Sequence, residues 1–321
     1  MKLMLLRLLA CTVSLGFSAA HAQYPPGNQP VRLILSTPPG GGSDTAVRLV
    51  AELLAPAIGR QVLVDNRPGA GGVVAATAVA HAPPDGFTLL VTSVSASPVA
   101  PLLFKSLPYK VQDLQPVYRL ASAPLLVLVP ADASAKSLTD LVTAAQKSAG
   151  GLNFGTYSIP SRAAMELLGE SLKFKVNTVG YKTSAQLMTD LAAGRLDVAV
   201  VDVSTASAMM KANRLRPVAI MKRERSRLAP DVPTVYESGY SGNEVLNWIG
   251  IFAPAGVPAP MVRQLSTEVH RIMSTPKVRA QMEAANLDLF EDGGPDSYPQ
   301  FAAQEYEAYS LFIKRTGFEP Q

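Results

Sequence analysis

Cysteine is nearly absent from this chain of 321 residues: the one copy is Cys11. Beyond it, disulfides, thiolate nucleophiles and cysteine-based metal sites are excluded. Histidine is scarce as well, with three copies, His21, His81 and His270. No HExxH pattern, no GxSxG elbow and no acid–nucleophile signature accompanies them, and acids such as Asp197 and Asp202 stand singly rather than in pairs. The sequence marks of hydrolytic or metal-assisted catalysis are therefore missing, and no metal-binding residues are expected. Charge is also low, at 17% of residues, with no run of Lys or Arg. The formal balance of +4 is too mild to imply a nucleic-acid partner. Tryptophan occurs once, as Trp248 in NWIGIF, and reads as core or interdomain packing.

The first 22 residues are present for a different purpose. Lys2 and Arg7 form a positive start, LLACTVSLGF is a short apolar stretch, and Ala20-His21-Ala22 is an A-x-A site. Together they read as a secretory signal with cleavage after Ala22. The stretch is too short to anchor the chain across a bilayer. Leu-Leu-Ala-Cys also allows a lipid-modified Cys11, although almost no apolar run would then precede the cysteine. Removing the leader lowers the formal charge from +4 to +2, and an exported, soluble product is expected.

Apolar runs then alternate with helical patterns. VRLILS, QVLVDN and FTLLVTS read as strands, separated by helices whose apolar residues recur at helical spacing. This order implies an α/β domain with a largely parallel sheet. A second set runs from LLVLVP to LRPVAIM. Within it, Ser137 and Asp140 have the spacing of a capping box. Helices are expected at 261–274, 276–285 and 298–316. Two such sets imply two lobes, with a ligand cleft at the carboxyl ends of the strands. The loops at those ends are 37–44, 67–72 and 92–97 in the first set, and 156–162, 181–184 and 202–207 in the second.

Two of these loops are glycine-rich turns that open a helix: PPGGGSD and NRPGAGG. Neither matches GxxxxGK[ST] or GxGxxG, so no nucleotide cofactor is expected. Such a turn lets backbone N–H groups approach an anion, aided by the helix dipole; it also serves as a plain corner. Ser43 or Asp44 is placed to cap the first helix. In YSIPSR, Arg162 starts a helix among hydroxyls and suits a carboxylate; with Tyr181 and Lys182 it is a candidate for one end of a ligand.

Several stretches together carry a resemblance. PPGGGSDTAVRLVAELL, VLVDNRPGAGGVVAATAVAHAPPDGFTLL, GYKTSAQLMTDLAAGRLDVAVVD, RLRPVAIMKRERSRLAPDVPTVYESG and WIGIFAPAGVPAPMV follow in order across nearly the whole chain after the leader. The sequence resembles the solute-binding receptors of tripartite tricarboxylate transporters, the Bug family of periplasmic proteins. The resemblance implies a two-lobed class II periplasmic-binding-protein fold, a Venus flytrap, with no enzyme activity and no cofactor. It implies lobe 1 from 23–122 plus 233–321 and lobe 2 from 123–232. It also implies capture of a small carboxylate and delivery to membrane permease subunits, by a monomer. A ligand-sensing partner of a signalling protein and an exported hydrolase are the alternative roles.

By the family's pattern, a carboxylate lies at Pro39, Gly40, Gly41, Gly42, Ser43 and Asp44 and at the loop with Thr92, Ser93 and Ser95. On the second lobe the pattern maps to Thr156, Ser158, Ser161, Asp202 and Ser204. The sequence departs from it in three places, one being Gly180-Tyr181-Lys182-Thr183 where PYKG is usual. Ser36 and Thr37 stand where a proline and an aromatic are usual, and TYSIPSRAA replaces a glycine-rich loop ending in histidine. The second-lobe contacts therefore do not transfer, and the ligand's identity stays open.

Overall fold

The computed structural model describes residues 29–320. The leader, with Cys11 and the cleavage site after Ala22, lies outside the described residues. The chain runs β1 (Val31–Leu35), α1 (Gly42–Ile58), β2 (Val62–Asn66), α2 (Val73–Ala80), β3 (Thr88–Thr92), α3 (Ala100–Leu103) and β4 (Leu114–Ala123). A second set follows: β5 (Leu125–Pro130), α4 (Leu138–Lys147), β6 (Leu152–Thr156), α5 (Ile159–Ser171) and β7 (Val176–Gly180). It continues with α6 (Ser184–Ala192), β8 (Val198–Asp202), α7 (Val203–Lys211) and β9 (Leu215–Ile220). The return comprises β10 (Asn247–Pro254), α8 (Ala259–Met273), α9 (Pro276–Ala284), β11 (Asp288–Leu289) and α10 (Tyr298–Thr316).

Two sheets result, in the orders β11-β4-β10-β3-β1-β2 and β7-β6-β8-β5-β9. In the first, β1, β2 and β3 are parallel, but β10, β4 and β11 pair antiparallel. The expectation of a largely parallel sheet thus holds for only half of it. The reason is long-range: β4 and the returning β10 sit side by side between β11 and β3, and no local period announces that pairing. The second sheet is mixed in the same way, with β6 parallel to β7 and β8, and β5 antiparallel to β8 and β9.

The cores follow from the faces these elements offer. In α8, Val262, Leu265, Val269, Ile272 and Met273 are buried at helical spacing and pack with Val47, Val50 and Leu54 of α1 against β1. The other face of this sheet is covered by an aromatic group, Trp248, Phe252 and Tyr298, with small residues of α2. The second lobe buries Phe154, Leu168, Val198 and Val200. Helix α10 belongs to both lobes: Tyr298 and Ala302 join the first, whereas Ala308, Tyr309 and Phe312 join the second. Its sequence therefore straps the lobes together. A further link is polar: Lys222 Nζ, just after β9, lies 2.6 Å from Asp288 Oδ2 on β11, which also accepts from Ser226 Oγ at 2.8 Å.

Candidate functional site

A cavity of about 510 Å³ opens where loops of the two lobes meet. The first set of elements supplies Gly71, Ser93, Val94 and Phe104, and Asn247 comes from the start of β10. The second supplies Thr156, Tyr157, Ser158, Ile159, Pro160 and Arg162 from the β6–α5 corner, and Gly180 and Tyr181 from the end of β7. Phe318, just past α10, completes the wall.

The β6–α5 corner is built by its own hydroxyls. Ser158 caps α5 by accepting the Ser161 N–H at 3.3 Å and donates to Ser161 Oγ at 2.9 Å. Thr156 Oγ1 donates to the Ser158 carbonyl at 3.1 Å. Pro160 in the first turn has no donor to lose there, so the corner is rigid. Behind it, Tyr157 Oη donates to Asp202 Oδ2 at 3.0 Å. Burial, reinforced by that carboxylate, drives the Tyr157 phenol far above its ordinary value. Asp202 also accepts from Ser204 Oγ, from Thr205 N–H at 2.9 Å and from Thr205 Oγ1 at 2.9 Å. Asp202 thus caps α7 and braces Tyr157, and Ser204 supports Asp202; neither lines the cavity. Tyr181 lends its ring to the wall, while its hydroxyl donates to Asp190 Oδ2 at 2.9 Å.

On the first lobe, Thr92 Oγ1 and Ser95 Oγ are hydrogen-bonded at 2.7 Å and buried beneath Ser93. Gly72 lies directly against this pair, at a φ of +97°. The glycine-rich turn after β1 is placed elsewhere. Gly40, Gly41 and Gly42 line a separate cavity of about 420 Å³, facing Gln281 and Ala284 of α9. Neither Ser43 nor Asp44 caps α1; Gly41 holds the cap position without a side-chain bond. Asp44 instead turns back on its own loop. Its carboxylate accepts from Gly40 N–H at 2.9 Å, Arg48 Nε at 3.0 Å and Asn66 Nδ2 at 2.9 Å. Asn66 Nδ2 also donates to the Thr37 carbonyl at 3.1 Å. The Arg48 hydrogen bond above all holds the Asp44 pKa down at about 2.

The structure therefore brings Ser93, Thr156, Ser158, Arg162 and Tyr181 to one cavity, with Thr92, Ser95 and Ser161 buried close behind. It does not bring Gly40–Gly42 into that lining. Sequence reasoning missed Phe104, Asn247 and Phe318. Each reaches the cavity from an isolated position in its own segment, with no local motif to mark it.

Two α/β lobes enclosing a mostly uncharged, hydroxyl-rich cavity define a solute-binding receptor fold. A model of the tripartite tricarboxylate transporter family receptor matches residues 46–318, and the chain belongs to that family. Solved structures agree. The periplasmic binding protein BugD is 27% identical, with a TM-score of 0.72, over 92% of this chain and 100% of that one. Rpa4515 of R. palustris, solved with adipate, is 26% identical with a TM-score of 0.75, over 91% and 99%. MatC from Rhodopseudomonas palustris, solved with bound malate, is 29% identical with a TM-score of 0.69, over 89% and 99%. Family members are periplasmic binding proteins, and no described helix of this chain is long and apolar enough to cross a membrane.

Proposed function

We propose that the protein captures a small carboxylate in the 510 Å³ cavity and delivers it, chemically unchanged, to the membrane components of a tripartite tricarboxylate-type transporter. The observation that carries this reading is the lining itself. The Thr156, Tyr157, Ser158 and Tyr181 hydroxyls donate within the protein, which leaves the Ser93 hydroxyl, the Asn247 amide and a single cation, Arg162, to face a ligand, with no acid among the described lining residues. Such a surface favours an anion and disfavours a cation. The adipate and malate in the related structures support the same class.

In this proposal the leader ends at Ala22 and the mature chain works as a periplasmic monomer. Lobe 1 comprises 23–122 plus 233–321 and lobe 2 comprises 123–232, the far end of α10 reaching across to the second core. Closure is a hinge motion, and the ligand favours the closed state because only that state offers contacts from both lobes. Ser93, Thr156, Ser158, Arg162 and Tyr181 meet the ligand; Asp202, supported by Ser204, braces Tyr157 between them.

A thermal-shift and calorimetric screen of the mature chain tests the proposal, using aliphatic, aromatic and amino-acid carboxylates beside neutral sugars. A true ligand raises the melting temperature by mass action, by about 2.7 kcal/mol of added stability at a hundredfold excess over Kd. A shift from sugars alone, or turnover of a bound carboxylate, would overturn it.

A further inference from the structure

Among the described lining residues Arg162 is the one charged side chain, and it is held in an unusual way. Its Nε is buried and makes no hydrogen bond among the described residues. The nearest acid, Glu166 Oε1, is 3.7 Å away and already accepts from Thr178 Oγ1 at 2.8 Å. What fixes the guanidinium is aromatic: its Cζ lies 5.5 Å from the Phe318 ring centroid and 5.9 Å from that of Phe312. The two rings are themselves 5.3 Å apart. A guanidinium placed over ring faces keeps the N–H donors along its edge for another acceptor.

The chain is turned to make this contact. Helix α10 ends at Gly317, whose φ of +63° is the left-handed conformation glycine adopts without strain. Phe318 N–H then donates to Thr316 Oγ1 at 3.2 Å, which returns the ring onto Phe312 and over Arg162. The same residue lines the cavity.

We propose that Phe318 is the positioning residue for Arg162, holding it as the anchor for the ligand's anionic group at the second-lobe end of the cavity. This rests on the carboxylate reading. It makes the turn at the end of α10 a determinant of anion selectivity.

The test uses the full mature chain and calorimetric titration with benzoate, hexanoate and adipate, each paired with its uncharged amide. The readout is the affinity ratio of acid to amide, which a purely structural role of Phe318 would leave unchanged. Arg162→Gln is expected to collapse that ratio by about tenfold or more, as loss of a charge-assisted pair implies. Phe318→Leu keeps apolar bulk but removes the ring face, and is expected to lower the ratio by about threefold, while Phe318→Tyr restores it. A ligand-free measurement runs beside it: the Arg162 Nε–H resonance, assigned by its absence in Arg162→Gln. It should be shifted by the rings in the wild type and in Phe318→Tyr, and lose that shift in Phe318→Leu. If the wild type binds an acid of the panel but Phe318→Leu leaves both ratio and resonance unchanged, the positioning role is overturned and the carboxylate reading stands. If no acid binds the wild type, the carboxylate reading falls and the anchor role with it.

Discussion

Trp248 Nε1 donates to Glu305 Oε1 at 2.6 Å, joining β10 to the middle of α10 inside the protein. Ser97 Oγ donates to the other carboxylate oxygen at 2.5 Å. Arg119, Tyr298 and Tyr309 supply the remaining charged or phenolic groups around this acid. Burial nevertheless dominates, and raises the Glu305 pKa from an ordinary 4.5 to about 7.

The pH dependence follows in sign from that rise. Between about pH 4.5 and 7 the folded chain holds a proton that the unfolded chain releases, so stability is full below this window and falls as pH rises through it. The loss is on the order of 3 kcal/mol across the window. Trp248 is the only tryptophan, so its fluorescence during urea unfolding reports the transition directly. Glu305→Gln retains an acceptor and should give a nearly flat profile over the same range. Parallel slopes in wild type and variant would sink the assignment.

Gly72, next to the lining residue Gly71, makes a second prediction. A Cβ there would stand 2.6 Å from Ser95 Oγ and 2.8 Å from Thr92 Oγ1, in a backbone with φ of +97°. Both neighbours are buried and bonded to each other, so neither can withdraw freely. Gly72→Ala should destabilise by about 3 kcal/mol and weaken carboxylate binding. A variant with unchanged denaturation midpoint would show that the turn relaxes without disturbing the pair.

Much of this architecture is legible before the fold is known, and the exceptions share a cause. Ser137 and Asp140 form the capping box their spacing implies, and α8, α9 and α10 appear within two residues of the ranges expected for them. Local chemistry sets those features. Strand β4 and its antiparallel partner β10 are set instead by residues over a hundred positions apart. The site divides along the same line. Ser158 and Thr156 can be found at a strand end, whereas Phe318 joins the cavity only because α10 crosses between lobes. PPGGGSD looks like an anion grip because its composition permits one; the fold turns its glycines toward α9 and locks Asp44 inward.

Asp44 gives a prediction of opposite pH sense to Glu305. Its pKa is lowered from 3.8 to about 2, so its contribution is present above about pH 4 and lost as pH falls toward 2. That contribution is on the order of 2 kcal/mol. Asp44→Ala removes the acceptor of the Gly40 N–H and the carboxylate beside Arg48 and Asn66, which keep Thr37 and each other as partners, and should lower stability by about 2 kcal/mol at neutral pH. Acid titration of the unfolding midpoint should then show a shallower fall in the variant than in the wild type. Equal acid sensitivity would mean that Asp44 is not the residue titrating.

The Lys222–Asp288 pair carries the last prediction, because it ties the linker after β9 to the edge of the first sheet. Both side chains are largely shielded, at 21% and 10% exposure, so removing either partner strands a charge away from full solvation. Lys222→Met leaves Asp288 with only Ser226 as donor, and Asp288→Asn leaves the ammonium facing a neutral group. Each single change should cost about 3 kcal/mol, while the double variant should lose less than the sum, giving a coupling of about 2 kcal/mol. Urea unfolding of the four proteins at pH 7 measures that cycle. Additive losses would mean that the two groups act independently, and that the contact between linker and sheet is held by packing alone.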